Sequence, residues 1–517
     1  MTEETKNEVF HLEDAIKGIQ NIPEHDPQDS LPVWKVLIDN YKIVGLSLFA
    51  NLGGLMYGFD TMALSLCLSM TAFEQQFGQE TASGYVIATW WQSVWNALSQ
   101  IACMIGAWGI GKVSDTWGRR VCFILAGTVG MVGVAVLYIA SNSRVFLAGK
   151  IVNGLALGMA LATGQSYVSE IAPLRIRGIL LSAYAFSMNL GLMISASVAF
   201  SRMNIMSSSA YKVLFAAGWA FPSLLLLLSW FIPESPHFLV QKGKKEAAQH
   251  VLEKISHNAS DAPAILADIV RVHEHEEQMH NESKQAGFLD CFRGNNWRRT
   301  RIIIYCNGLT QMIGVTFQSN GPYFLTSAGM SSNNVGMIIE IGIAFSIASA
   351  IGTWFIIGVV GRRKIIMAGL VVSAMFYFLM GIAAIWSNST ALWTIGIALE
   401  LTWWTMGPVA GPAMAIAGEV SQARLRAQSQ SIGFAFNYFF SCVWNVVVPY
   451  MFNTDEGNLG GKMGWIFLAT SLISVVIVYF EFPETKDRTY EELDELFERK
   501  IPARHFANYA QLSLRPE

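Results

Sequence analysis

Twelve apolar stretches, each close to the length of a membrane-crossing helix, recur along the chain, and no other feature constrains its fold as much. They lie at 43–66, 87–110, 121–140, 146–169, 179–200, 213–232, 302–325, 335–358, 365–385, 391–416, 428–451 and 464–481, and are called runs one to twelve. A hydrocarbon layer about 30 Å thick is spanned by about 20 helical residues. No water bonds the peptide groups there, so unbroken apolar runs of this length must be helical. A soluble reading fails on charge: 14% of the residues are charged, against roughly 25% in an average soluble domain. A net charge of −3 gives no general pull toward nucleic acid. Six cysteines in 517 residues, mostly inside apolar runs, are no disulfide framework. The chain therefore reads as an all-α, multi-pass protein whose solvent is the lipid bilayer.

Runs six and seven are separated by a long polar segment, whereas the other internal connections are short. The expected organisation is a cytoplasmic segment 1–42, a six-helix bundle 43–232, a central cytoplasmic loop 233–300 with short helices, a second six-helix bundle 301–482, and a cytoplasmic tail 483–517. Six plus six suggests two repeated halves with a substrate path between them. Lys112, Arg119, Arg120, Arg175, Arg177, Arg362, Arg363, Lys364, Arg424 and Arg426 all fall in even-numbered loops. Positive charge marks the cytoplasmic side, so both termini are expected there. The first forty residues are acidic and hold no signal peptide, which leaves run one as the expected targeting signal.

The even loops carry repeated motifs. Gly111-Lys112-Val113-Ser114-Asp115-Thr116-Trp117-Gly118-Arg119-Arg120 joins runs two and three, and Gly361-Arg362-Arg363 follows run eight. Glu170 with Arg177 follows run four, and Glu419 with Arg424 and Arg426 follows run ten. Pro233-Glu234-Ser235-Pro236 closes run six and Pro483-Glu484-Thr485-Lys486 closes run twelve. Asp115, Arg119, Arg120, Glu170, Arg177, Glu234, Arg362, Arg363, Glu419, Arg426 and Glu484 can make charge-assisted bonds at the membrane surface. Bonds made in one state of a rocking protein and broken in the other would latch a conformation. The plainer alternative is a set of ordinary basic loops.

These ordered motifs resemble the sugar porter branch of the major facilitator superfamily, over about residues 43 to 505. The tail from Thr489 to Arg504, and the segment from Tyr323 to Gly329, are similar to fungal maltose and α-glucoside permeases. The resemblance implies twelve helices, alternating access and, often, proton-coupled sugar uptake. Thr116, His237 and Gly358 depart from the family pattern, and Gly358 replaces an Asp of the second latch, which is therefore expected to be the weaker one.

Few charges lie inside the runs, where each costs at least about 2.5–3.5 kcal/mol on insertion scales. Asp60, in Tyr57-Gly58-Phe59-Asp60-Thr61, is similar to the family's proton-carrying Asp; it could also brace a bend. Lys150 stands where many symporters pair an Arg with that Asp, so it either pairs with Asp60 or snorkels to the outer edge. Glu340 and Glu400 have no basic partner in sequence reach. Glu400, nearer the centre of its run, is the stronger candidate for a proton relay, with protonated helix packing as the alternative.

For the substrate, Thr310, Gln311 and Gln318 share one broad helix face, since seven residues make about two turns. Thr310 and Thr316 replace amides of the family pattern on run seven, Asn320 lies a turn further on, and run eleven keeps the pattern's amide at Asn437. Amides in such places also tie helices together. Leu192 and Gly411 stand where the family has Gln and an aromatic residue. The pocket is therefore expected to be larger and less polar than a hexose pocket, with Trp90, Trp91, Trp95, Trp403 and Trp404 as possible apolar walls. His273, His275 and His280 fall in a charged amphipathic segment, Glu246 to Glu282, expected to be a solvated helix rather than a metal site. Asn388-Ser389-Thr390 is a sequon in a loop too short for easy glycosylation. No phosphate loop, cofactor site or catalytic constellation is present. The expected function is secondary active transport, as a carbohydrate:proton symporter, monomeric and in the plasma membrane. The alternatives are a transporter of a less polar metabolite and, with so short a tail, less readily a non-transporting sugar sensor.

Overall fold

The computed structural model describes residues 33–508 apart from 82–83, 204, 257–258, 284–287, 387, 422–424, 454–455, 487 and 489. The acidic start of the chain, Arg424, and the side chains of Arg426, His275 and His280 lie outside the described residues.

All twelve runs are helical. Run one is Tyr41–Ala50 and Leu52–Leu68, joined at Asn51. Runs two to five are the helices Thr89–Trp117, Arg119–Ile139, Ser143–Ile171 and Leu174–Phe200, and run six is Ser209–Gly218 with Ala220–Ser229. Runs eight, nine, eleven and twelve are Ser332–Val360, Arg362–Ala383, Arg426–Phe452 and Met463–Glu481. Among the described residues, nine helices are long and apolar enough to cross a membrane. The other three runs are where polarity or a break intervenes. Run two carries Gln92, Ser93, Asn96, Ser99 and Gln100 in close succession. Run seven is divided into Gly294–Met312, Val315–Ser319 and Gly321–Ser327. Run ten is Ser389–Leu401, a 3₁₀ segment Thr402–Thr405, and Met406–Val420.

The packing repeats with an offset of six. Run two packs on four, three on four, one on five, and three on six; run eight packs on ten, nine on ten, seven on eleven, and nine on twelve. The halves meet where run two crosses eleven and run five crosses eight. Small residues set the closest approach. A Cβ at Gly154 or Gly158 of run four would collide with the carbonyl oxygens of Ser99 and Cys103 on run two. Without water to drive association, such backbone approach is the main source of packing between membrane helices.

The breaks are repaired by side chains, as burial of free carbonyls requires. Gly314 adopts a left-handed conformation, φ +82°, and stops the first piece of run seven. The carbonyl of Ile313 then accepts from Tyr377 Oη at 2.7 Å, and that of Met312 from Thr470 Oγ1 at 2.7 Å. In run ten, Ser349 Oγ donates to the Trp404 carbonyl at 2.5 Å. The bend thus falls just before Gly407-Pro408, and Pro412 is carried inside the helix.

Large apolar side chains such as Phe231, Phe355, Val359, Ile473 and Phe480 are exposed, a surface suited to hydrocarbon. The central segment folds as Pro236–Gln241, Lys245–Ile255 and Ala262–Ser283, so most of the expected amphipathic helix is present. Beyond run twelve, the helix Tyr490–Glu498 docks on the base of run seven: Arg299 is paired with Asp494, and its guanidinium lies 4.5 Å from the Phe497 ring centre. Lys42 also donates to the Lys254 carbonyl at 2.8 Å, so the central helices and run one meet at one end, called the tail end. At the opposite end a short hairpin, β1 Gln79–Thr81 and β2 Gly84–Val86, pairs antiparallel with Gln79 opposite Val86. Asn388 of the sequon caps run ten there, accepting from Ala391 N at 2.7 Å.

Candidate functional site

Between the halves lies a cavity of about 700 Å³, open solvent included. Run one contributes Tyr57, Thr61 and Ser65; run two Asn96, Ser99 and Gln100; run seven Gln311, Thr316, Ser319 and Asn320; run eleven Ser441 and Asn445. Each carries a hydroxyl or an amide, groups that both donate and accept. The two residues that suggested a pocket less polar than a hexose pocket do not shape it. Leu192 is fully buried within the first half, outside the cavity, and Gly411 is not on its wall. Hydroxyls and amides of runs one, two and eleven supply the polarity instead. None of the five tryptophans lines the cavity: Trp95 is buried in an aromatic cluster with Phe73 and Phe146, Trp91 stacks on it, and Trp403 is buried in the second half.

The six substrate candidates divide evenly. Gln311, Thr316 and Asn320 line the cavity, and Thr316 Oγ1 donates to Gln311 Oε1 at 3.0 Å. Thr310, Gln318 and Asn437 do not. Gln318 points behind run seven, where its amide nitrogen is 3.4 Å from Tyr377 Oη. Asn437 donates to the Asn307 carbonyl at 2.5 Å and so ties run eleven to run seven. The residues missed had a signal: 96, 99, 100 and 103 form one helical stripe on run two.

At the cavity edge, Lys150 Nζ donates to Asp60 Oδ2 at 2.6 Å and Asn153 Nδ2 to Asp60 Oδ1 at 2.8 Å. Lys150 is 3% exposed, so it pairs rather than snorkels. Asp60 also borders a second, mostly apolar cavity of about 370 Å³ inside the first half, with Phe59, Phe215 and Phe221 on its wall. Glu340 accepts from Ser197 Oγ of run five at 3.0 Å. Glu400 is buried, and neither of its oxygens has a partner among the described residues.

At the tail end the two latches are near copies. Gly118 (φ +93°) and Gly361 (φ +96°) precede runs three and nine. The Glu234 carboxylate accepts from the amides of Arg119 and Arg120 at 2.8 and 3.3 Å; the Glu484 carboxylate accepts from those of Arg362 and Arg363 at 2.9 and 3.2 Å. Each is an anion held at a helix N-terminus. Arg119 reaches Glu170 at 2.7 Å and Arg362 reaches Glu419 at 3.0 Å. Arg120 and Arg363 donate to the carbonyls of Trp230 and Tyr479. Three expectations are corrected. Glu170 pairs with Arg119 rather than Arg177, which donates to the Ala172 carbonyl. Asp115 is exposed and is outside the network. The third concerns Gly358: an Asp there would copy a residue the first latch does not use, yet the second latch is still the sparser one, since Arg119 grips Glu170 through both Nε and Nη2, with Ser166 Oγ added, whereas Arg362 reaches Glu419 through Nη2 alone.

These ion pairs each stay within one half. Polar ties between the halves lie toward the opposite end, where Gln92 Nε2 donates to Tyr323 Oη at 3.3 Å, Asn453 Nδ2 to Thr89 Oγ1 at 2.7 Å, and the Tyr323 amide to Ser65 Oγ at 3.4 Å, and midway along runs five and eight, where Ser346 Oγ donates to Asn189 Oδ1 at 2.9 Å.

Residues 46–497 match the family described as "Sugar (and other) transporter". The chain is 29% identical over 480 residues to the MFS transporter fmqE of Aspergillus fumigatus, covering 91% of this chain and 89% of that protein. It is 26% identical to the general alpha-glucoside permease of Saccharomyces cerevisiae, covering 97% and 82%. The fold matches the proton:xylose symporter XylE bound to 6-bromo-6-deoxy-D-glucose with TM-score 0.70 and 20% identity, over 89% of this chain and all of that one. An inward-open structure of XylE from E. coli matches with TM-score 0.69, 21% identity and coverages of 88% and 99%.

Proposed function

The chain belongs to the sugar (and other) transporter family, and from that premise we propose that it is a carbohydrate:proton symporter working by alternating access. The observation that carries the reading is the Lys150–Asp60–Asn153 cluster at the edge of a cavity lined by hydroxyls and amides. In this reading the twelve runs all cross the membrane as two bundles, 43–232 and 301–482. The segments 1–42, 233–300 and 483–517, and so both termini, are cytoplasmic, and the protein is a monomer of the plasma membrane. The ties among Gln92, Tyr323 and Asn453 then close the outer side, and the cavity faces inward.

Asp60 takes up the proton. As a carboxylate it holds Lys150 and Asn153 of run four against run one; once protonated it loses the charge that makes the Lys150 contact strong. Runs one and four can then shift, and Tyr57, Thr61 and Ser65 on run one carry that shift to the cavity wall. The substrate is an α-glucoside such as maltose, or another sugar, bound by Gln311, Thr316 and Asn320 together with Asn96, Gln100 and Asn445. The latches, with Glu170, Glu234, Glu419 and Glu484, hold the cytoplasmic ends of each half as rigid units while the halves rock.

The test is uptake of labelled sugars by proteoliposomes with and without an inward proton gradient. Accumulation of a sugar only with the gradient supports the reading; accumulation independent of it defeats proton coupling. A second reading is transport of a less polar metabolite by the same cavity, in keeping with a family described as carrying sugars and other substrates. It prevails if no sugar competes for binding.

A further inference from the structure

We propose that Glu400 is a second proton-binding site, which gives up its proton when the halves part at the end away from the tails. The inference rests on the transporter reading but not on proton carriage by Asp60. Glu400 lies at the end of Ser389–Leu401, where run ten breaks, and is 3% exposed. Two helices press backbone against its carboxyl. A Cβ on Gly321 of run seven would lie 2.9 Å from Oε1, and one on Gly342 of run eight would lie 2.5 Å from Oε2.

No cation faces it among the described residues. From run nine comes Tyr377, whose hydroxyl is already given to the Ile313 carbonyl. From the outer piece of run seven comes Tyr323, held by Gln92. Run eight carries Glu340, which is turned toward Ser197. The 3₁₀ segment Thr402–Thr405 has no titratable group, and Lys462 lies next to Gly461, which meets Ile395, more than a turn away along run ten. An ionised carboxylate enclosed without a cation or donor is strongly disfavoured, so Glu400 holds a proton in this conformation. Gly321 begins the piece Gly321–Ser327, and that piece carries Tyr323, which is tied to Ser65 and Gln92 on the first half. Opening those ties moves Gly321 off Oε1, water enters, and the proton passes to it. Opening at this end is thereby linked to loss of a proton.

The test uses the full chain in lipid. In a Glu74→Gln background, which removes the other raised carboxyl, its infrared spectrum at neutral pH should show a protonated-carboxyl band that shifts in D₂O, is kept when Asp60→Asn is added and is absent when Glu400→Gln is added. In Thr61→Cys, a cavity-wall position, combined with Cys103→Ser, labelling by an impermeant maleimide from the outside, divided by that of a free thiol at the same pH to remove the thiolate's own pH dependence, should rise several-fold with external pH, and that normalised rise should vanish when Glu400→Gln is added. A band that survives Glu400→Gln, or a labelling response that survives it, overturns the proposal. Should Glu400→Gln fail to fold, Glu400→Asp must move the band, and an unmoved band overturns the proposal equally. If instead Asp60→Asn keeps gradient-driven uptake while the Glu400 band behaves as stated, the symport reading through Asp60 fails and this proposal stands.

Discussion

Lys150 and Asp60, ninety residues apart in the chain, form one ion pair, with Nζ 2.6 Å from Oδ2; Lys150 is buried and Asp60 is partly open to the cavity. The pair joins runs four and one, and Asn153, one turn after Lys150, satisfies the second carboxylate oxygen. Removing one member of a buried pair strands a charge, whereas removing both leaves only lost contacts.

That asymmetry gives the first prediction. Lys150→Met and Asp60→Asn should each lower stability by about 3–5 kcal/mol if the partner stays charged, and the double variant should be more stable than Lys150→Met alone. Thermal unfolding of the purified variants measures it. In transport, Asp60→Asn should lose uptake driven by an acid exterior yet keep exchange of substrate; mutant uptake that still follows the pH gradient contradicts the role given to Asp60.

The glycines of the two latches should respond as equals. Gly118→Ala and Gly361→Ala each force a side chain into a left-handed backbone and against a glutamate carboxylate. Each should cost about 1–3 kcal/mol from the backbone alone. Gly109→Ala, in a helix with open space at the Cβ, should be neutral or gain up to about 1 kcal/mol. A much smaller loss at Gly361 than at Gly118 would show that the two glycine sites are not equivalent.

Substrate affinity should separate the polar residues of runs two, seven and eleven. Asn96→Ala, Gln311→Ala and Asn445→Ala remove cavity donors and should each weaken binding by about 0.5–1.5 kcal/mol, read as a raised KM. Asn437→Ala removes a tie between runs seven and eleven and should lower the melting temperature instead. An Asn437→Ala protein with normal stability and a selectively raised KM would return that residue to the binding site.

One carboxylate outside the runs carries a pH signature. Burial raises Glu74, in the short helix Thr71–Phe77, from the ordinary carboxylate value to about 7. The folded state therefore binds the proton more tightly than the unfolded chain, and stability falls as pH rises through that interval. Glu74→Gln should flatten the fall in melting temperature between about pH 5 and pH 7; an unchanged slope assigns the dependence elsewhere.

Much of the architecture was legible because membrane helices are specified locally. An apolar run of sufficient length must satisfy its peptide groups internally, so the positions of the helices followed from the chain alone. The repeated Gly-Arg-Arg and Pro-Glu pieces likewise marked both latches. Their wiring was not legible. Glu170 lies only seven residues before Arg177 yet binds Arg119, because run three, packed on run four, brings the Arg119 guanidinium to it while Arg177 turns back to the Ala172 carbonyl.

The same division holds at the cavity. Asp60 and Lys150 stood out in the sequence, since a charge in an apolar run asks for a partner, and Gln311, expected to meet the substrate, lies on the cavity wall. Gln318 was not, because Gly314 breaks run seven and resets the helical phase on which the spacing argument relied. The chain by itself fixed where helices form, which carboxylates are costly, and which motifs repeat, all consequences of local composition in a solvent without water. Only the tertiary structure decided which polar faces meet across the halves, which glutamate finds a partner, and that Glu400 finds none among the described residues, because those outcomes depend on how closely separate helices approach.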